Sequence, residues 1–350
     1  MYGKKITCFG KSMSDILTIK TRLFDDNDIF LSNEAKHSEL YRSQTKREFC
    51  KICHFPLPKK SYYNNHGTDY FLCTECGHVN GEFDDGEQFS NALYESGLYS
   101  SEFQRFESED YFNRMNAIYS PKIKFMIDSF VALEVDYAQF KFLDVGAGAG
   151  FATCAMHRKG LDVVGIEVSE VLVQHANELI GKELLSVKNP SDIVQVLKTT
   201  DRDVVIFFGV LEHMANLREI LDAMQKNDNI RYVYFSVPML SLTCALEVAF
   251  SDVYPRHQGG GGEGHTHLFT QKSIEWIFDN FGFECVATWD FGTDIMDLYR
   301  SLIVSLQKKG CSEDFLTLLA EWFSTQADAI QLLLDKSGFA SETHIIAKVH

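Results

Sequence analysis

Two cysteine pairs near the front of the chain have the residue types and spacing of a metal site. Cys50 and Cys53 form one CxxC pair, Cys73 and Cys76 form the second, and 19 residues separate the pairs. Thiolates at this spacing are typical of tetrahedral zinc, with Zn–S distances of about 2.3 Å. Four ordinary cysteines or two redox-active pairs are the alternatives. Because four thiolates fill the coordination shell, we predict structural Zn²⁺ rather than a catalytic ion.

A glycine-rich turn further along the chain has the composition of a nucleotide-binding loop. Residues 142–150 read FLDVGAGAG, an apolar run followed by Gly146, Gly148 and Gly150. Such glycines let the backbone approach a ligand closely and direct helix N-terminal amides toward it. The pattern departs from the GxGxxG of dinucleotide sites, because Phe151 stands where the last glycine would be. The alternative is a plain tight turn.

An acidic residue follows this turn at the distance expected for a ribose ligand. Glu167 lies 21 positions after Gly146, at the end of the next apolar run. A carboxylate at that place can hold both hydroxyls of a bound ribose. A solvated surface glutamate is the alternative interpretation.

Histidines in two places are candidates for acid–base chemistry. Glu212 and His213 follow the apolar run 204–208, and His213 is our first candidate for a general base. His265 and His267 follow four glycines at 259–262 and alternate, so both can contact an acceptor from one face of an extended lid. A metal site there would need a third ligand, which the sequence does not reveal. Helix capping and a mobile surface loop are the alternatives.

The elements that position these residues form an α/β pattern. Short apolar runs at 140–145, 163–168, 184–188, 204–208 and 232–237 alternate with amphipathic segments, which predicts βαβ units and a parallel sheet. A helix at 271–281, a strand at 284–289, helical segments over about 294–336 and a strand at 344–349 are predicted to follow.

This pattern divides the chain into four parts. Residues 1–48 carry no clear period and stay unassigned, residues 49–80 form the zinc ribbon, and residues 81–135 form a helical linker or cap. Residues 136–350 form the α/β domain, with 294–336 as a helical insertion before the last strand. The insertion carries an apolar stripe that suits core packing or a homodimer face.

Composition narrows the classes of protein. The 350 residues are 45% hydrophobic and 23% charged, which excludes a disordered chain. The net charge is −16, although residues 1–80 carry 12 basic and 9 acidic residues. A general nucleic-acid partner is therefore not expected. No apolar leader precedes the first elements and the cysteine count is odd, so we expect a cytoplasmic protein. Residues 232–250 are apolar, but they suit a strand and a short helix better than a membrane span.

Three segments together resemble the successive motifs of class I S-adenosylmethionine-dependent methyltransferases. They are DVGAGAG (144–150), VVGIEVS (163–169) and VVIFFGVLEHMAN (204–216). The resemblance covers roughly residues 120–290. It implies a Rossmann-like seven-stranded sheet whose last strand is antiparallel.

The resemblance also assigns roles to matching residues. Asp144, Gly146, Gly148 and Gly150 would cradle the methionine part of S-adenosylmethionine, and Glu167 would bind its ribose. Ser191 and Asp192 would lie beside the adenine, and Gly209 with the residues after it would pass under the sulfonium toward the acceptor.

With its zinc ribbon, the chain is similar to bacterial deoxysugar and polysaccharide-type methyltransferases. That likeness implies a small polar acceptor, such as a nucleotide-linked sugar, methylated on oxygen or carbon, although the zinc spacing in those relatives is usually longer. An RNA or protein methyltransferase that grips a polymer through Lys51, Lys59 and Lys60 is the alternative, and resembles ribosomal RNA enzymes with a zinc finger. A binding module without turnover is the third possibility.

Overall fold

The computed structural model describes residues 5–12, 27–86, 89, 108–253 and 265–350. Residues 254–264 of the predicted lid, including its four glycines, lie outside the described residues, as does a large part of the predicted helical cap.

The described residues contain twelve strands, which form two sheets. The strands are β1 (Ile6–Phe9), β2 (Tyr63–Asn65), β3 (Thr68–Leu72), β4 (Val79–Gly81), β5 (Lys141–Val145), β6 (Asp162–Glu167), β7 (Leu185–Val187), β8 (Val204–Phe208), β9 (Tyr232–Pro238), β10 (His267–Leu268), β11 (Phe283–Phe291) and β12 (Glu342–Val349). The larger sheet has the order β7-β6-β5-β8-β9-β12-β11-β1. The smaller has the order β10-β4-β3-β2.

The helices lie between and around these strands. They are α1 (Asn27–Arg42), α2 (Ser108–Arg114), α3 (Ser120–Ala132), α4 (Phe151–His157), α5 (Glu170–Ile180), α6 (Ile193–Thr199), α7 (Leu217–Gln225), α8 (Leu242–Ala249), α9 (Gln271–Phe281), α10 (Asp294–Lys308) and α11 (Glu313–Lys336). A π-helical turn, Met115–Tyr119, joins α2 to α3.

The predicted alternation of strands and helices is confirmed. β5, β6, β7, β8 and β9 are parallel, and β12 pairs antiparallel with both β9 and β11. The predicted count of seven strands is wrong by one, because β1 adds to the edge of β11 in parallel. A four-residue strand in a polar segment is too short to show a period, so this strand leaves no signal in the sequence.

The large sheet is buried on both faces. Along β8, Val205 and Phe207 pack into the cluster that contains α6, α7 and α9 side chains. Val204 and Ile206 pack into the opposite cluster, with α3 and α4. This two-sided burial explains why the strands read as continuous apolar runs rather than as alternating ones.

The smaller sheet joins the cysteine pairs to the rest of the chain. Its strands β2, β3 and β4 lie in and directly after the predicted ribbon, but its fourth strand, β10, comes almost 190 residues later in the chain. The register pairs His267 with Asn80 and Leu268 with Val79. We call residues 49–81 together with β10 the four-cysteine module.

None of the described helices combines the length and hydrophobicity that crossing a membrane requires.

Candidate active site and metal centre

The four predicted cysteine ligands come together in the four-cysteine module. Their sulfur atoms all lie within 4.8 Å of one another. Cys50 Sγ is 3.5 Å from Cys76 Sγ, and Cys53 Sγ is 3.4 Å from Cys73 Sγ. Sulfurs bound tetrahedrally at about 2.3 Å stand about 3.8 Å apart, so the spacing and the donor set fit a tetrahedral ion.

Each cysteine pair sits on a turn closed by a left-handed residue. Gly77 after the second pair has φ of 72°, and His54 occupies the matching place after the first pair with φ of 60°. The amide of each residue donates to the carbonyl of the first cysteine in its own pair. The tight turn predicted at Gly77 is therefore present, and a second one forms without glycine.

The four-cysteine module is fixed to the α/β domain by hydrogen bonds near its cysteines. Thr270 Oγ1 donates to the Gly77 carbonyl over 2.9 Å, and Lys272 Nζ donates to the Thr74 carbonyl over 3.3 Å. The guanidinium of Arg218, on α7, donates to the Ile52 carbonyl. These bonds connect the module to helices α7 and α9, which pack on the large sheet.

The glycine turn after β5 is built from left-handed backbone. Gly146, Gly148 and Gly150 have φ values of 66°, 54° and 74°. A Cβ on Gly146 would come within 2.7 Å of Val210 Cγ2, in the segment that follows β8. Only glycine meets both demands, because an L-residue with positive φ is strained and here would also collide.

Glu167 reaches back from the end of β6 to this turn. Its Oε2 accepts from the Gly148 amide over 2.8 Å, and its Oε1 accepts from the Ser169 amide over 3.1 Å. The side chain is buried, and burial raises its pKa above the ordinary value of a glutamate. A buried carboxylate beside left-handed glycines fits the bound cofactor, because a carboxylate can accept hydrogen bonds from ribose hydroxyls or from the positively charged end of a methionine.

Asp144 lies beneath the turn and is almost completely buried. Thr153 Oγ1, on α4, donates to Asp144 Oδ2 over 2.7 Å. Burial raises the pKa of Asp144 to about 7, with a smaller contribution from the Glu167 charge. The hydrogen bond therefore links the end of β5 to helix α4. Because its pKa is raised, Asp144 releases its proton only near neutral pH.

The remaining predicted cofactor residues lie at the same carboxyl edge of the sheet. Ser191 and Asp192 form an exposed 3₁₀ turn after β7, and Gly209 follows β8 with φ of 68°. Their positions are those expected for open α/β sites, where ligands lie outside the carboxyl ends of the strands. Their contacts with adenine and sulfonium stay predictions.

Glu212, His213 and His265 form a second cluster at this edge. One carboxylate oxygen and one ring nitrogen from each histidine all lie within 4.8 Å of one another. The two imidazole centroids are 4.8 Å apart. The sequence reveals no third ligand for a metal site at His265 and His267, and the fold brings His265 to Glu212 and His213 instead.

The Glu212 carboxylate is buried in an environment that disfavours its charge. It is 3% exposed, and Oε2 has no hydrogen-bond partner in the part of the chain that the structure describes. Burial raises the pKa of Glu212 to about 8, and the charge of Glu342 acts in the same direction. Such a group is typical of a functional site rather than of a folding contact.

His267 takes a different position from its predicted neighbour His265. Its Nδ1 lies 2.8 Å from His78 Nε2, inside the four-cysteine module, and His78 packs against Ser273 of α9. His78 and His267 are both buried, and the sequence does not reveal that they meet. The predicted contact of His267 with an acceptor stays a prediction.

An ion-paired group near Glu212, in which a partly exposed carboxylate meets two buried side chains, has no signal in the sequence. Lys122 Nζ, from α3, lies 3.4 Å from Glu342 Oε1, and His344 Nε2 lies 2.7 Å from the same oxygen. Glu342 begins β12, 130 residues after Glu212. Only the pairing of β12 with β9 brings these residues together.

Comparison with known proteins identifies a family for the chain. Residues 94–288 match the family model described as a methyltransferase domain. The fold is similar to magnesium protoporphyrin IX methyltransferase from Synechocystis PCC 6803, solved with bound SAH, at 12% identity and a TM-score of 0.47, over 74% of this chain and 100% of that one. It is also similar to a SAM-dependent methyltransferase from Archaeoglobus fulgidus, at 16% identity and a TM-score of 0.41, over 65% and 94%.

The comparison with curated proteins gives no match. The family model alone spans more than half of the 350 residues, and it includes the glycine turn, Glu167 and the Glu212–His213 segment. The chain belongs to the methyltransferase domain family and is an S-adenosylmethionine-dependent methyltransferase.

Proposed function

We propose that this enzyme transfers the methyl group to oxygen or carbon of a small polar acceptor, a nucleotide-linked sugar or polysaccharide precursor. The observation that carries the proposal is the position of the Glu212–His213–His265 cluster. It adjoins the predicted cofactor turn, since Gly146 faces Val210, two residues before Glu212. Groups that can handle an acceptor proton thus lie beside the place where the sulfonium would be held.

In the proposed mechanism, the chain positions reactants that are already activated. S-adenosylmethionine supplies a methyl group on a positively charged sulfur, which leaves as a neutral thioether. The glycine turn and Glu167 fix the donor, and well-oriented reactants recover about 7–11 kcal/mol of a bimolecular barrier. The enzyme then needs the acceptor in line with the methyl–sulfur bond.

The acceptor proton is the remaining task for the protein. A neutral imidazole at His213 can accept it, and a placed base contributes about 10²–10⁴-fold. Glu212 and His265 flank His213 and would orient it or bind an acceptor hydroxyl. This assignment makes His213 the base, Glu212 and His265 its neighbours, and leaves His267 inside the four-cysteine module.

One feature supports a small acceptor over a polymer. Lys51, one of three lysines that the alternative would use to bind the polymer, is buried and ion-paired with Asp85, so its charge is not available to a phosphate backbone.

The four-cysteine module is proposed to hold structural Zn²⁺. Four thiolates leave no open position for a reactant, so the ion would stabilise the module and not take part in methyl transfer. The module would then form one wall of the acceptor site, since β10 begins two residues after His265 and belongs to the smaller sheet.

Native mass spectrometry of the intact chain, with and without S-adenosylmethionine, tests the cofactor and the zinc together. We expect one cofactor molecule per chain, followed by methyl transfer to a member of a nucleotide-sugar panel. The His213→Ala variant should lose turnover while keeping cofactor affinity, whereas His350→Ala, an exposed histidine at the opposite edge of the sheet, should lose neither. No cofactor uptake would overturn the proposal.

Salt dependence separates a small acceptor from a nucleic acid. A protein that contacts about 6–10 phosphates loses about 10³–10⁵ in affinity between roughly 50 and 200 mM salt. We expect the KM for the acceptor to change by less than about tenfold over that range. A steep loss would favour the polymer alternative.

A further inference from the structure

The Glu212–His213–His265 cluster has the donor set of a metal site that is separate from the four-cysteine module. It offers two imidazole nitrogens and one carboxylate oxygen, all within 4.8 Å of one another. Two histidines and one carboxylate hold Fe²⁺ in many oxygenases and Zn²⁺ in many hydrolases, where they leave coordination positions open for a reactant.

The burial of Glu212 gives a second and independent reason to expect a cation. Its Oε2 is enclosed and accepts no hydrogen bond from any described residue. The Lys122 ammonium, whose charge reaches Glu212, lies 3.4 Å from a different carboxylate, that of Glu342. A buried carboxylate oxygen that has no hydrogen-bond partner is costly, and a bound metal ion removes that cost.

The position of the cluster agrees with a reactive ion rather than a structural one. Glu212 and His213 lie in a 3₁₀ turn shortly after β8, at the carboxyl edge of the sheet. His265 stands where the described chain resumes after the lid and just before β10. A bound ion would therefore link the turn after β8 to the segment just before β10, beside the predicted donor site.

We propose that Glu212, His213 and His265 bind one divalent transition-metal ion, which holds and activates an acceptor hydroxyl. This inference rests on the proposed function and deepens it, because it makes the acceptor an alcohol and the reaction an O-methylation. It also changes the role of His213 from a free base to a ligand. Imidazole donors favour Zn²⁺ or Fe²⁺ over Mg²⁺ and Ca²⁺ at such a site.

The proposed reaction needs no reactant other than the acceptor alcohol and S-adenosylmethionine. A hydroxyl bound to the ion becomes more acidic and releases its proton to water. The resulting alkoxide oxygen forms a bond to the methyl carbon as the carbon–sulfur bond breaks. The electron pair of that bond stays on sulfur, which gives the methyl ether and the neutral thioether S-adenosylhomocysteine.

The test counts metal ions on the full chain. The protein is equilibrated with Zn²⁺, passed through a desalting column, and analysed by native mass spectrometry. We expect two ions on the wild-type chain, one on His265→Ala and one on Glu212→Gln, while His350→Ala keeps two. One ion on the wild-type chain, or two on both cluster variants, would overturn the inference.

Two further readouts keep the outcome clear. Circular dichroism and S-adenosylmethionine binding of each variant show whether it folds, and Glu212→Gln leaves the side-chain volume almost unchanged. Cofactor uptake with only one ion on the wild-type chain would sink the metal site and leave the proposed methyl transfer standing. Two ions without cofactor uptake would support the metal site and contradict the proposed function.

Discussion

Glu167 shows how one residue links the cofactor site to the fold. Its carboxylate accepts amide hydrogen bonds from Gly148 in the glycine turn and from Ser169 at the start of α5. The predicted ribose would bind the same group, so Glu167→Gln should weaken S-adenosylmethionine binding. Hydrogen bonds to a charged group contribute about 1.5–3 kcal/mol, which predicts a roughly 10–150-fold rise in Kd.

Isothermal titration calorimetry measures this change directly. Glu178→Gln, an exposed position near the far end of α5, is the matched control and should bind the cofactor like the wild-type chain. Equal affinity of Glu167→Gln and the control would contradict the predicted ribose contact.

Asp144 predicts a particular dependence of stability on pH. Burial raises its pKa from 3.8 to about 7, so the folded state holds the proton more tightly than the unfolded state. For an acid shifted in this direction, stability falls as the pH rises from the unfolded pKa to the folded one and then levels off. Between about pH 5 and pH 8, this single group should lower the free energy of unfolding of the cofactor-free chain by roughly 2–3 kcal/mol.

The Asp144→Asn variant removes that dependence and keeps the Thr153 hydrogen bond. Thermal unfolding without cofactor should show a smaller decline over the same pH range in Asp144→Asn than in the wild-type chain. Asp228→Asn, an exposed position, should decline as the wild-type chain does. Parallel curves for wild type and Asp144→Asn would show that the buried carboxyl is not the cause.

At the scale of elements, a comparison of two glycines distinguishes the cost of left-handed backbone strain from the cost of a close contact. Gly146 and Gly160 have φ values of 66° and 79°, but a Cβ on Gly160 would meet nothing within 4 Å. Alanine at either position costs about 1–2 kcal/mol in left-handed strain. Gly146→Ala must in addition displace Val210, so it should be the less stable variant and bind S-adenosylmethionine about tenfold more weakly or worse.

Thermal unfolding and cofactor titration of the two alanine variants check this prediction. Gly160→Ala should lose stability but keep its cofactor affinity, because the turn between α4 and β6 lies away from the predicted donor site. If both variants bind the cofactor equally well, the close contact at Gly146 has no bearing on the site.

The sequence predicts those strands and helices that are long enough to show a hydrophobic pattern. The strands β5 to β9 and helix α9 follow from apolar runs and helical spacing, and α9 has the predicted bounds. β10 could not be predicted, because two residues carry no period and the partner strand β4 lies far away in the sequence. His78 and His267, for example, are 189 positions apart. His265 is likewise distant in sequence from Glu212 and His213, so the pattern does not show that they meet.

At the scale of the whole molecule, the four-cysteine module and the large sheet share one interior. Cys50, Cys73 and Cys76 belong to the same buried cluster as Leu217 of α7 and Ile274 of α9. The cysteine spacing predicts the ligands but not this shared packing, which arises only when the two parts meet. A module built in this way should not unfold independently of the methyltransferase domain.

Removal of one cysteine ligand tests that connection. Cys76→Ser should lose the proposed zinc ion and, because the cysteines pack into the core, lower the Tm of the whole chain by about 4–7 °C, as expected for a loss of roughly 3–5 kcal/mol from a single transition of this length. Calorimetry should show one transition shifted as a unit. Cys8→Ser, an exposed cysteine on β1, is the control and should keep both the ion and the Tm. A zinc-free variant whose main transition is unchanged would show instead that the module is stabilised separately, and that the methyltransferase core does not depend on it.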